Sequence, residues 1–380
     1  MSIHRYALPI ETTRWNIPGH QEAAFSWEYD ERRKRLLTLY EKGKEKQWNA
    51  NTRIDWSLPV DPSDTDAMPD EYVSIYGSPT WERLSRAEKD EVRHHMSAWM
   101  NSQFLHGEQG ALICAAKIVQ TVPDIDSKFY SATQTMDEAR HVEAYSRYLN
   151  EKLELAYPIN PHLATLLDQT ITDGRWDMTY LGMQVMIEGV ALAAFSMIRD
   201  FSGEGLGKAL NAYVMEDEAR HVAFGSVALQ DAYRDLTEAE RDEREEFVVE
   251  ASYLLRDRFL AEEVWENLGF DVDECVAYVD QAQLMGEFRK ALFSRVVPTV
   301  KRIGLWGPKV QKAFVDMGVI HFEDVDIDDL FEQDESIAEE MDRMLAEREL
   351  LRGNRDATID SDGRGEQLAA TIAAGEEEED

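Results

Sequence analysis

The pentapeptide Asp-Glu-Ala-Arg-His occurs twice in this chain, at 137–141 and at 217–221, and a lone glutamate in an apolar helical stretch stands ahead of each copy. Glu108 precedes Glu138 by the same interval that separates Glu188 from Glu218. One helix-pair unit is therefore used twice, and together the two copies supply four carboxylates and two imidazoles.

Residues three apart on a helix face one side, so Glu138 with His141, and Glu218 with His221, can each offer an oxygen and a nitrogen to one ion. Two lone inward glutamates, Glu108 and Glu188, complete the ligand inventory of a ferritin-like bundle site. Four buried carboxylates would repel one another without cations, whereas two divalent ions match their charge. Carboxylate with imidazole suits iron or manganese and leaves open positions, while a structural zinc site closes with four ligands, usually including thiolates. A single Glu-x-x-His on a helix is commonly a solvated pair by chance; two copies at identical offsets argue against that reading.

The chain has 380 residues, enough for one large helical domain with extensions or for two domains, and a formal charge of −35. That charge excludes nucleic acid and an anionic membrane surface as partners, since both need clustered Lys and Arg. Its two cysteines, Cys114 and Cys275, form no Cys-x-x-Cys, so no iron–sulfur or rubredoxin-like module is encoded and the reductant must be another molecule. No basic-then-apolar leader follows Met1, and no apolar run approaches eighteen residues. The expectation is a soluble, cytoplasmic protein.

The fold class expected is all-α, a ferritin-like four-helix bundle with additional flanking helices. Residues 1–80 read as an N-terminal wrapping segment anchored by Trp15, Trp27, Trp48 and Trp56, 81–325 as the helical di-iron domain, and 326–380 as an acidic C-terminal helix with a disordered tail. Ser85 and Glu88 form a capping box that opens a helix running through Glu108 to about Val122, and a partner helix spans about 125–154. Residues 177–201 carry Glu188, and further helices are expected over 237–268, 272–304 and 307–320.

Asp137 and Asp217 are placed to accept the spare N–H of an imidazole, with Arg140 and Arg220 holding the aspartates. Tyr145 continues the stripe of Glu138 and His141, where a phenol can hold a radical, donate a hydrogen bond, or simply pack. Its duplicate position is Gly225, which would leave space beside the second metal. Gly107, Gly110, Gly182 and Gly189 cost helix stability; either close helix approach or an opening lined by Ala111, Ala115, Leu192 and Phe195 would offset this. An apolar substrate is expected to enter between the Glu188 helix and the helix of Phe224 and Gly225. His94, His95 and His106 are read as non-ligands.

At these residues, over about 85–230, the chain resembles the ferritin-like di-iron carboxylate superfamily, whose oxygenase and oxidase branch includes multicomponent monooxygenase hydroxylases, and whose ligand motifs recur in ribonucleotide reductase small subunits. The resemblance implies two iron ions, manganese being admissible at one site, dioxygen as co-substrate, and Glu108, Glu138, His141, Glu188, Glu218 and His221 as ligands. It also implies a small-molecule substrate and a separate electron-transfer protein or other reductant, with a homodimer as an admissible assembly. Tyr145 stands where reductase small subunits carry a radical tyrosine, but the C-terminal tail lacks the tyrosine that their relay needs. Arylamine N-oxygenases add a histidine one turn before the second motif glutamate, and Val214 stands there. Desaturases dock an acidic carrier, which this charge would repel. Elimination leaves a stand-alone oxygenase or oxidase acting on a small, mostly apolar molecule; the alternatives are a ferroxidase or iron-handling protein and a radical-generating subunit.

Overall fold

The computed structural model describes residues 17–19, 22–25, 29, 33–61, 68–201, 205–340 and 342–344. Trp15, Trp27 and the tail beyond 344 lie outside these residues. The chain divides into the units Met1–Asp334 and Glu335–Asp380; in the second, 335–340 and 342–344 are helical.

No β-strand occurs among the described residues of the first unit. We number its longer helices α1 (Lys34–Glu45), α2 (Arg86–Thr121), α3 (Ile125–Tyr148), α4 (Pro161–Thr172), a broken α5 (Trp176–Tyr180, π-helical Leu181–Ile187, then Glu188–Phe201), α6 (Leu206–Ala232) and α7 (Glu238–Asp257). The chain between Asp257 and the C-terminal residues is cut into shorter helices, Glu262–Asn267, Val272–Gln281, Gln283–Ala291, Val296–Arg302 and Pro308–Asp316. The long helices expected over 237–268 and 272–304 are thus divided; the first break falls where Ala261 takes a left-handed φ of 53°.

Local chemistry sets the helix ends. Ser85 accepts from the Glu88 N–H while Glu88 accepts from the Ser85 N–H, the reciprocal arrangement that starts α2. Pro123 forces Val122 into an extended conformation and ends it, and Asp124 at once caps α3 by accepting from the Ser127 N–H. α2 then runs back along α3, α5 along α6, and α3 meets α6 across the bundle. This brings the two pentapeptides face to face.

Glycine placement decides how closely α4 can seat. A Cβ on Gly110 would lie 2.4 Å from Leu167 Cδ2, and one on Gly182 2.4 Å from Thr170 Oγ1, so both glycines admit α4 against α2 and α5. Close helix approach, rather than an opening beside the metals, accounts for these two.

The run Trp176–Arg199 is 24 residues with a mean hydropathy of 1.7 in its most apolar window, long and apolar enough to cross a membrane. This corrects the expectation that no such stretch exists. Within the bundle 78% of that window is buried and it carries Glu188, which is what a core helix surrounded by other helices requires.

The histidines set aside from the sequence serve the frame. His94 Nε2 and His106 Nε2 lie 2.8 and 2.9 Å from the carbonyls of Leu153 and Tyr157. His95 Nδ1 sits 2.7 Å from the Tyr157 hydroxyl, and burial, with repulsion from His94, pushes its pKa down to about 4. The unfolded chain binds that proton near 6.5, so between the two values the unfolded state holds more protons and stability falls as the pH drops. Solvent reaches part of the ring and trims the loss to about 1–2 kcal/mol. His95→Gln should therefore flatten the unfolding free energy across that window in urea titrations, and an unchanged slope would refute the assignment.

Candidate metal centre

α2, α3, α5 and α6 each direct their motif side chains to the bundle axis, where Glu108, Glu138, His141 and Glu218 form one group of converging ligand atoms and Glu138, Glu188 and His221 a second. All six residues are buried. His141 Nδ1 lies 3.2 Å from Glu108 Oε2, 3.5 Å from Glu138 Oε2 and 3.1 Å from Glu218 Oε1. His221 Nδ1 lies 3.1 Å from Glu138 Oε1 and 3.5 Å from Glu218 Oε1. Glu138 and Glu218 thus stand between the imidazoles, with Glu108 and Glu188 on the flanks.

The far ring nitrogens are held in a crossed arrangement. His141 Nε2 pairs with Asp217 at 3.0 Å, and His221 Nε2 with Asp137 at 3.2 Å, so each motif's aspartate serves the other motif's histidine. Each aspartate is expected from the sequence to accept from an imidazole, and docking of α3 against α6 makes it the imidazole of the opposite motif. Arg140 donates to Asp137 at 2.6 Å and to Asp217 at 2.8 Å, and Arg220 donates to Asp217. These bonds fix both Nδ1 atoms toward the centre.

Electrostatics inside the cluster are lopsided. Burial, reinforced by repulsion from Glu218, lifts the Glu108 and Glu188 carboxyls well above the usual carboxylate range. Burial also pushes Glu138 up, but the neighbouring imidazoles outweigh it and hold this carboxyl low. Burial works against charge on both histidines, yet Glu108 beside His141 and Glu138 beside His221 raise them well above their ordinary value. Protons held in this way are what divalent cations displace. The donor set also fits such ions in its polar accounting: Glu138 Oε2, Glu188 Oε2 and both Glu218 oxygens are buried with no hydrogen-bond partner.

Several contributors carry no sequence signal that ties them to the metal centre, although Trp48 reads as an anchor of the N-terminal segment. Gln134 Nε2 donates to Glu138 Oε1 at 3.0 Å and to Glu188 Oε1 at 3.1 Å, tying two carboxylates with one neutral amide. From the segment after α1, Gln47 Nε2 donates to Asp137 at 2.6 Å and half-buried Trp48 donates its indole N–H to Asp217 at 2.8 Å. Tyr145 is buried, its hydroxyl donates to Asn211 Oδ1 at 2.9 Å, and its ring packs against Phe195.

Ala111, Ala115, Leu192, Phe195 and Phe224 are all buried, and Phe224 stacks on Tyr130 at 3.9 Å between ring centroids. Gly225 does not open space beside a metal. A Cβ there would meet Gln184 Cβ at 2.6 Å, so α6 and α5 touch through it. Because that atom is rooted in the backbone, Gly225→Leu should destabilise the fold by about 1–3 kcal/mol through overpacking. A melting temperature equal to the parent's would refute the close approach.

A sequence profile of the p-aminobenzoate N-oxygenase AurF family matches residues 29–304. The chain belongs to this family. As an AurF-family member it is a di-iron oxidoreductase. The match overturns the exclusion of arylamine N-oxygenases drawn from Val214: the residue is buried and apolar, so this member lacks that histidine without leaving the family. No curated protein matches. Among solved structures, an R2-like ligand-binding oxidase mutant with a reconstituted Mn/Fe cofactor is similar at TM-score 0.45 and 18% identity, covering 74% of this chain and 96% of that one. A protein with aldehyde deformylating oxidase activity from Synechococcus is similar at TM-score 0.43 and 16% identity, covering 59% of this chain and 97% of that one.

Proposed function

We propose that this AurF-family protein is a dioxygen-activating oxygenase that oxidises a small, mostly apolar organic molecule at a dinuclear iron centre, with electrons from a separate donor. N-oxygenation of an aromatic amine is the reaction class that the family's description favours. The observation that carries the reading is the convergence of two imidazole Nδ1 atoms with four buried carboxylates, three of which hold oxygens without a hydrogen-bond partner.

In this reading Glu108, Glu138, His141 and Glu218 hold one ion, and Glu138, Glu188 and His221 share in holding the other, manganese being admissible at one position. Such a pair, when bound, supplies electrons to dioxygen and a Lewis-acidic surface for it. The protein's own groups supply the rest. Asp137 and Asp217 keep each imidazole's bonding nitrogen inward, Gln134 restrains Glu138 and Glu188, and the apolar walls of α2 and α5 keep bulk water out. Tyr145 positions α3 against α6 through Asn211. A cytoplasmic setting, where reduced carriers are available, suits an enzyme whose cysteines are both buried and unpaired.

The donor's electrons have a short polar route inward. Trp48 reaches solvent on one side and bonds Asp217 on the other, and Asp217 bonds His141. Trp48→Leu should slow reduction of the bound metals by an external donor in stopped-flow traces while leaving metal content unchanged; an unaltered rate would remove this route.

Metal analysis should find about two iron or manganese ions per chain, from the motif stoichiometry. Excess ferrous iron with oxygen and no organic substrate tests the class of activity. Oxidation should stop after the resident ions and resume only with reductant; sustained oxidation of many ions with mineral growth would establish iron handling instead.

A further inference from the structure

A cavity of about 300 Å³ lies outside the carboxylate cluster, lined by Met68, Met96, Met100, Met197 and Met285 together with the aromatic rings of Trp99, Phe259 and Phe288. Such a volume is at the small end of organic-ligand pockets, and thioether side chains adapt to irregular apolar shapes. One polar atom stands out in its wall. Ser74 is 3% exposed and among the lining residues, and its hydroxyl has no hydrogen-bond partner and almost no accessible surface of its own, so it would meet a guest by turning about χ1, relieving a state that costs free energy.

The other polar groups of the wall are engaged. Trp99 Nε1 donates to Glu263 at 3.2 Å, and Glu287, the one carboxylate of the wall, accepts from Lys290 at 2.8 Å. An anionic guest would therefore find no cation among the lining side chains, and a cationic one only the solvent-exposed Glu287 already paired with Lys290, whereas a neutral one with a single hydroxyl, carbonyl or amine would find Ser74.

The cavity is also in line with the cluster. Met96, Met100, Phe104 and Glu108 follow one another at four-residue intervals on one stripe of α2, and Glu188, Leu192, Phe195 and Ile198 form the matching stripe of α5. Read along either helix, the order is carboxylate, phenylalanine, cavity. Phe104 and Phe195 meet at 4.4 Å between centroids and, along both helices, stand between the cavity and the carboxylates, about 12 Å from Met100 to Glu108 along the axis.

We propose that this methionine-lined cavity is a binding site for a neutral, largely hydrocarbon or aromatic molecule bearing one hydrogen-bonding group, which Ser74 receives, and that it is separated from the metal centre by the Phe104–Phe195 pair. That the occupant is a substrate rests on the oxygenase reading; that the cavity binds such a molecule does not.

The test is calorimetric titration of the metal-loaded, full-length protein with decan-1-ol and with decane. Decan-1-ol should bind one per chain. Ser74→Ala should weaken it about fivefold, the worth of one hydrogen bond, while leaving decane unchanged. Met100→Trp, and from the opposite wall Ala291→Leu, should abolish binding of both probes without lowering iron content; the second variant guards against a folding defect in the first. Decan-1-ol affinity indifferent to both filling variants, or decane weakened by Ser74→Ala as much as decan-1-ol, would overturn the site. Absent binding alongside intact oxygen uptake would also sink the site and spare the oxygenase reading, whereas binding in a protein without oxygen chemistry would support the site and sink only that reading.

Discussion

Glu138→Ala should strip both metal ions from the protein, taking the content from about two per chain to near zero by elemental analysis. Glu138 belongs to both converging groups, whereas Glu218, which also lies against both imidazoles, belongs to one. Glu188 belongs to one group only, and Glu188→Ala should leave about one ion bound. Far-ultraviolet circular dichroism should stay helical in both variants, because removing one of four buried carboxylates relieves repulsion while the apolar core is untouched. Two ions retained by the Glu138 variant would end the ligand assignment.

Asp217→Ala should cost stability rather than metal alone, about 3–5 kcal/mol in denaturant titrations. Four donors converge on this buried carboxylate: His141, Arg140, Trp48 and Arg220. Arg140 would keep Asp137 as a partner, but Arg220, itself buried, would lose the aspartate it donates to. The imidazole of His141 would also be released, which lowers metal affinity by about 10- to 100-fold. Asp217→Asn keeps the shape and an acceptor and should fall between. A loss below about 1 kcal/mol for the alanine variant would mean that solvent enters and compensates the arginines.

The six converging residues were legible because a ligand pair three positions apart leaves a periodic mark that helix geometry alone interprets. Tyr145 was found by extending the same stripe. What was missed depends on how helices dock. The exchange of aspartates between motifs, the amide of Gln134 and the reach of Gln47 and Trp48 arise only once α1, α3 and α6 are seated, and no local pattern marks them. Glycine was ambiguous for a related reason: absence of a side chain in a helix is compatible with a hole or with a neighbour, and at Gly110 and Gly225 the neighbour is Leu167 and Gln184. The cavity was invisible because its wall is drawn from Met68 through Ala291 with no shared period.

The crossed aspartates set when the centre can come into being. Neither half of the duplicated unit is self-sufficient, since His141 waits for a residue 76 positions downstream and His221 for one 84 positions upstream. During synthesis the first helix pair is complete long before α6 leaves the ribosome, yet at that stage its imidazole has no anchor and its carboxylates face no opposing motif. Premature capture of iron by the nascent chain is thereby disfavoured, and an isolated half, expressed alone, should be a helical hairpin without a high-affinity site.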